Sequence, residues 1–394
     1  VSPHPALEVL ARRQAEQAAR GLARRLWPVG PATGPWVERD GRRVLLMASN
    51  DYLGLARHPR LAAAAAAAAA DCGSGSGASR LVSGTLDAHL ELERAIAEFK
   101  ETESALFFAT GYMANLGAVA GLARAGDVIV SDELNHASLI DACRLSRARV
   151  EVYPHGDPAA AEALLAQAPG DGLRLLVTDG VFSMDGDLAP LPRLLAAARR
   201  HGALLVVDDA HATGVWGSSG RGTAERFGIT PCPELVMVGT FSKALGGLGG
   251  FVAGDGVVIA NLVHQARSLL YTTAPPPAQL GAALAGLEVI QAETWRRERL
   301  HRLCADFRAH LAGLGFTLLS EEGPIVPVLV GEAHQSVAMA EALLRQGVLA
   351  PAMRPPTVPE NTSRIRLTVT AAHGEHELAM AAAALKAAAE EIGL

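Results

Sequence analysis

The sequence predicts an α/β protein: a mostly parallel, doubly wound seven-stranded sheet in a large domain, with a smaller C-terminal α/β domain. Three observations carry this. Of seven short apolar runs, Ala105–Ala109, Val128–Val130, Val150–Tyr153, Leu173–Val177, Ala203–Val207, Leu235–Val238 and Gly250–Ala253, most are nearly continuous rather than alternating. Strands buried on both faces read that way. Ala-rich helical runs separate them, and alternating β and α segments give a parallel sheet covered by helices. Finally, Tyr271–Pro277 (YTTAPPP) breaks the pattern. A long helical segment from about Ala278 to Leu314 follows, then strand candidates Ile325–Val330 and Arg364–Thr370.

The first residues justify a separate segment. An Arg- and Ala-rich helix is expected from Pro5 to Leu26, ended by Trp27-Pro28, with a hairpin-like stretch from Trp36 to Leu46. The expected division is residues 1–45, a large domain 46–285, and a small domain 286–394; a chain of 394 residues suits two or three domains. Lys and Arg total 35 and Asp and Glu 41, a net charge of −6 spread along the chain. That pattern offers no basic patch for nucleic acid and no membrane address. The alanine run Ala62–Ala70 is too short and too weakly hydrophobic to span a bilayer and reads as helix. No signal peptide is expected. Cys72, Cys143, Cys232 and Cys304 form no CxxC pair, which suits a reducing cytoplasm.

Open α/β sheets place ligands beyond the carboxyl ends of their strands. Thr110-Gly111-Tyr112 follows the first apolar run and opens a helix, an arrangement suited to an anion. Later runs lead into Asn135-His136, Ser183, Asp208-Asp209-Ala210-His211 and Thr240-Phe241-Ser242-Lys243. One sheet edge thus gathers a lysine, a carboxylate, two histidines, hydroxyls and an anion cradle.

Pyridoxal phosphate (PLP) needs that set: an amine for its aldehyde, a carboxylate to keep its pyridine nitrogen protonated, donors for its phosphate and a flat group against its ring. Blander readings exist for each member. Lys243 alone reads as a surface charge, and His136 as a structural histidine. Asp208, Asp209 and His211 suggest metal ligands, but no further ligand clusters with them in sequence, so no metal is expected. Gly246–Gly250 lacks both GxGxxG spacing and a GKS or GKT ending.

The segments SNDYLG (Ser49–Gly54), GSGSGASRLVSGT (Gly73–Thr85), Asn135–Ser138, DGVFSMDGD (Asp179–Asp187), VDDAHATG (Val207–Gly214) and TFSKALG (Thr240–Gly246) resemble the α-oxoamine synthases. These are fold-type I PLP-dependent transferases that condense an amino acid with an acyl thioester and release CO2. The resemblance implies Lys243 as Schiff-base lysine and proton shuttle, Asp208 against the pyridinium, and His136 stacked on the ring. It implies His211 and Ser183 near the phenolic oxygen, and Gly111, Tyr112 and Thr240 on the phosphate. Thr272 or Thr273 from the second subunit of a homodimer would complete that phosphate site. Asn50 and Arg366 would face the substrate, with Arg366 on its carboxylate, and Arg24 would lie near the acyl-chain end.

The stretch Met353–Pro359, with Thr357 as a substrate contact, and Arg364–His373 resemble the biotin-pathway branch. That branch implies L-alanine and pimeloyl-CoA or pimeloyl acyl carrier protein as partners. Two alternatives stay open: a relative with a different amino-acid or acyl donor, and a PLP aminotransferase, which uses the same lysine and aspartate. Arg364 and Arg366 share one face of their strand, so alternation cannot choose between them.

Overall fold

The computed structural model describes residues 4–19, 22–23 and 26–394. The predicted hairpin is present as β1 (Trp36–Arg39) and β2 (Arg42–Leu46). Its two-residue turn, Asp40-Gly41, has φ of 50° and 73°, the left-handed pair that tight hairpins use. The seven apolar runs become β3 (Ser104–Phe108), β4 (Val128–Asp132), β5 (Arg149–Tyr153), β6 (Arg174–Asp179), β7 (Leu204–Asp208), β8 (Leu235–Thr240) and β9 (Gly250–Gly254). They form one sheet in the order β3-β9-β8-β7-β6-β4-β5, in which only β9 runs antiparallel to its neighbours.

Burial on both faces explains the continuous runs. Leu175, Val177, Val206, Val236 and Val238 enter one apolar cluster. Leu176, Leu205, Val207, Leu235 and Met237 enter another on the opposite face. Successive side chains point to opposite faces, so a strand between two helical layers needs apolar residues at every position.

The C-terminal part contributes β10 (Ile325–Gly331), β11 (Val348–Leu349), β12 (Ala352–Met353) and β13 (Ser363–Thr368). β13 is the middle strand of the sheet β10-β13-β12, whereas β11 pairs with β2, so the N-terminal hairpin shares a sheet with the C-terminal part. The central place of β13 buries both Arg364 and Arg366.

Two predicted helices are corrected. The first runs Pro5–Ala19 rather than to Leu26, and Leu22 and Ala23 lie outside it. The segment from Ala278 to Leu314 is two helices, Pro277–Ala292 and Trp295–Gly313. Glu293 leaves helical geometry (φ −107°, ψ 56°), and its carboxylate bonds Arg296 Nε at 2.6 Å and His58 Nε2 at 3.2 Å. The apolar pattern runs through the break, so periodicity conceals it.

One loop between β6 and the next helix matters for the site. His155, just after β5, bonds Asp132 Oδ1 at the end of β4 and Asp187 Oδ2 in that loop, each at 3.0 Å. Its ring also packs edge-on to Phe182 at 4.3 Å. The two carboxylates raise the imidazolium to about 10. It therefore fastens residues 182–187 to the sheet as a cation with two charged hydrogen bonds.

His155→Gln is expected to cost about 1–3 kcal/mol of stability near neutral pH. The folded-state pKa is raised above the roughly 6.5 of an unfolded histidine. The contribution is therefore full below about pH 6.5 and lost as pH rises through about 10. Urea midpoints of wild type and variant should converge as pH is raised over that window; a constant gap would contradict the clamp.

Candidate active site

β3, β4, β6, β7 and β8 all end at one sheet edge, and a cavity of about 210 Å³ opens there. Thr110 caps the helix Gly111–Leu122, its Oγ1 accepting from Met113 N at 3.2 Å. Helix geometry leaves the N–H groups of Gly111 and Tyr112 without an acceptor in the helix, and the helix dipole adds positive potential there. A Cβ on Gly111 would sit 3.1 Å from Thr240 Cβ and Oγ1, and one on Gly250 would come within 2.5 Å of the Thr110 carbonyl oxygen. Only glycines let β9, the helix start and Thr240 close into a cradle. The Thr240 hydroxyl donates to the Gly249 carbonyl at 2.8 Å and accepts from Ser242 Oγ at 2.8 Å.

Asp208 forms the floor, 5% exposed. Its Oδ1 accepts from Ala210 N at 2.9 Å and its Oδ2 from Asn115 Nδ2 at 2.6 Å. Asn115 Nδ2 also donates to Ser138 Oγ at 2.8 Å. That hydroxyl in turn faces His136 Nδ1 at 2.7 Å, so one amide joins Asp208 to His136. Asp179 is the register neighbour of Asp208 and accepts from His136 N at 2.8 Å. Burial, then the charge of Asp208, raises the Asp179 carboxyl well above its ordinary range. Lys243 shares the cavity. Desolvation lowers its ammonium to about 8, with Asp208 and Asp179 opposing the shift and Arg366 adding to it.

The remaining lining includes His136, His211 and Ser183, and Arg366 stands behind Ser183 rather than in the lining. Burial lowers His136, and it lowers His211 well below the usual imidazole value, with Lys243 and Arg366 adding to the effect on His211. Ser183 lines the same cavity, and its carbonyl accepts from Arg366 Nε at 2.6 Å. The far edge of the Arg366 guanidinium reaches Asn50 Oδ1 at 3.4 Å. Arg364 is committed elsewhere, in an ion pair with Asp185. Asp185 thus separates two arginines that alternation could not.

Not every predicted residue meets this cavity. Tyr112 stands at its rim, half-exposed, donating to Asp141 Oδ2 at 2.8 Å. Thr272 and Thr273 do not line it; Thr272 is partly buried and Thr273 exposed, after the helix Arg267–Leu270. Thr357 is exposed and borders a larger groove, about 1150 Å³, between the first helix and residues 352–357. Arg24 lies outside the described residues. Conversely, sequence reading passed over Asn115, Ser138, Asp179 and Ser242 as site residues. Asn115 was open to inference: four residues after Gly111, it lies on the same helix face.

These residues fit PLP. Asp208 has no cationic side-chain partner among the described residues, whereas the adjacent Asp209 has Lys100 Nζ at 3.4 Å. A buried carboxylate without a cation of the protein's own suits a ligand that supplies one. The cradle would take the phosphate and Lys243 the aldehyde.

Residues 42–385 match the family described as aminotransferase class I and II. The 8-amino-7-oxononanoate synthase of Geobacter sulfurreducens is 50% identical over 377 residues, covering 95% of this chain and 96% of that one. The chain belongs to the 8-amino-7-oxononanoate synthase family. It is a PLP-dependent acyltransferase with the fold-type I architecture. Among solved structures, a serine palmitoyltransferase with PLP has a TM-score of 0.92 at 30% identity, covering 98% of both chains. The 8-amino-7-oxononanoate synthase of Francisella tularensis has a TM-score of 0.77 at 27% identity, covering 89% of this chain and 99% of that one.

Lys243→Ala is expected to abolish the holoenzyme's visible absorbance and nearly all turnover. In the apoenzyme only the neutral amine attacks an aldehyde. The rate of PLP capture should therefore climb with pH and level off above about 8. Stopped-flow absorbance across a pH series checks this; a plateau only near the ordinary lysine value would contradict it.

Proposed function

We propose that this enzyme condenses L-alanine with a pimeloyl thioester, of CoA or acyl carrier protein, to give 8-amino-7-oxononanoate, CO2 and free thiol in biotin biosynthesis. One observation carries the site chemistry. Arg366 is buried behind Ser183 of the cavity wall with no carboxylate partner among the described residues, while Arg364 beside it has one. A guanidinium bonded only to neutral acceptors keeps its charge for a substrate carboxylate.

Each residue has a part. PLP, when bound, supplies the electron sink that lets an amino acid lose its α-proton and later its carboxylate. Asp208 would keep the cofactor's ring nitrogen protonated, and Asn115 and Ala210 N hold Asp208. Lys243, with its ammonium lowered to about 8, takes and returns protons near neutral pH once its amine is free. Arg366 orients the alanine carboxylate, braced by the Ser183 carbonyl and by Thr368 Oγ1 at 3.1 Å. His136 would lie against the cofactor ring, and His211 and Ser183 would face its phenolic oxygen. The groove bordered by Thr357 and Arg354 is the side from which a long acyl thioester would enter.

The serine palmitoyltransferase likeness favours a second reading, a different amino-acid donor. Backbone likeness reports the shared scaffold, while identity of 50% over nearly the whole chain reports side chains, and side chains choose substrates. Alanine is therefore preferred. A homodimer, with Thr272 or Thr273 completing the neighbour's phosphate site, belongs to the same reading. So does a cytoplasmic setting, which suits four free cysteines; no helix among the described residues is long and apolar enough to cross a membrane.

The deciding experiment offers alanine, glycine and serine with a panel of acyl thioesters and identifies products by mass. Comparable specificity constants with glycine or serine would overturn the alanine assignment. Arg366→Ala should raise the alanine KM roughly 10- to 150-fold while PLP binding survives. Arg364→Ala should leave that KM near wild type and chiefly lower stability. A KM effect confined to Arg364→Ala would reverse the assignment.

A further inference from the structure

His211 is a ligand-facing residue whose proton position is open from its own geometry. A neutral imidazole carries one proton, on Nδ1 or Nε2, and the partner of one nitrogen determines which. Burial keeps His211 neutral, and its Nδ1 lies 2.6 Å from the hydroxyl of Tyr52, a side chain with no exposed surface. Nε2 has no protein partner among the described residues, so it is the nitrogen left for whatever occupies the cavity.

Three facts orient the Tyr52 hydroxyl. Burial pushes its pKa up to about 12, so it keeps its proton. The Arg366 guanidinium lies near the phenolic oxygen, and its charge opposes that rise. A guanidinium only donates, so it offers the hydroxyl no acceptor. The single O–H then has two candidate acceptors. Asn50 Oδ1 stands at 3.3 Å and already faces two Arg366 nitrogens at 3.4 Å. His211 Nδ1 stands at 2.6 Å. Hydrogen bonds weaken steeply over that range, so the proton goes to the imidazole.

We propose that Tyr52 is a positioning residue that fixes the tautomer of His211, with Nδ1 accepting and Nε2 carrying the proton toward the cavity. A donor at Nε2 suits an anionic or phenolic oxygen in the cavity. The consequence for PLP rests on the site reading above. The tautomer does not, since it is measurable without cofactor or substrate.

The test uses the full-length apoenzyme labelled with 15N in its imidazoles, with the His211 signals assigned by their loss in His211→Asn. At neutral pH, the expected pattern is an unprotonated Nδ1 and a protonated Nε2. In Tyr52→Phe, which keeps the ring and removes the hydroxyl, both tautomers should be populated, and the PLP dissociation constant should rise roughly 3- to 10-fold. A purely packing role for Tyr52 would move the thermal midpoint and leave the tautomer alone. The proposal is overturned if wild-type His211 carries its proton on Nδ1, or if Tyr52→Phe keeps the wild-type pattern. Should Tyr52→Phe not fold, the wild-type spectrum decides by itself. Failure to use alanine or a pimeloyl thioester would leave these spectra unchanged, so the two readings fail separately.

Discussion

A carboxylate buried at the end of β7 without a cation of its own is the constraint around which the site is arranged. Asp208 and Asp209 are consecutive and both buried, and strand alternation sends them to opposite sides. Asp209 has a complete protein environment: Lys100, the Thr223 hydroxyl at 2.5 Å and the Thr223 N–H. Asp208 has two neutral donors and a second carboxylate, Asp179, as register neighbour. Leaving a buried charge half-compensated costs stability. A ligand cation at that point recovers it, and this couples the apoprotein's electrostatics to cofactor binding.

The charges around this carboxylate act on one another. Lys243 is lowered by burial and by Arg366, while Asp208 and Asp179 limit the fall to about 8. His211 feels the same lysine and arginine and stays neutral. On the proposed reading, a substrate carboxylate on Arg366 would remove part of the positive potential acting on Lys243 and His211.

The C-terminal part is held to the large sheet at several points on this side. Arg364 pairs with Asp185, Arg366 with the Ser183 carbonyl, and Ala371 N donates to the Tyr52 carbonyl at 2.7 Å. The loop that receives both arginines is itself fastened by His155. Arg366 and Lys243 thus occupy one frame, although more than a hundred residues separate them in the chain.

Sequence alone determined most of the sheet, because continuous apolar runs report burial on two faces, a local and additive signal; the edge strand β5 alternates instead, with Val150 and Val152 exposed. It also determined that a lysine, a carboxylate and a glycine-opened helix meet at one edge, because parallel strands end on one side. The break at Glu293 was not legible, since the apolar pattern passes through it and the tie to His58 comes from residues far away. Only tertiary structure distinguished Arg364 from Arg366, which share a face: among the described residues Arg364 has a carboxylate partner, Asp185, and Arg366 has none. Asn115 and Tyr52 were likewise decided by tertiary structure. Each is an ordinary residue in its own segment and acquires a role from a partner about ninety or more positions away, and no local pattern encodes a contact of that separation.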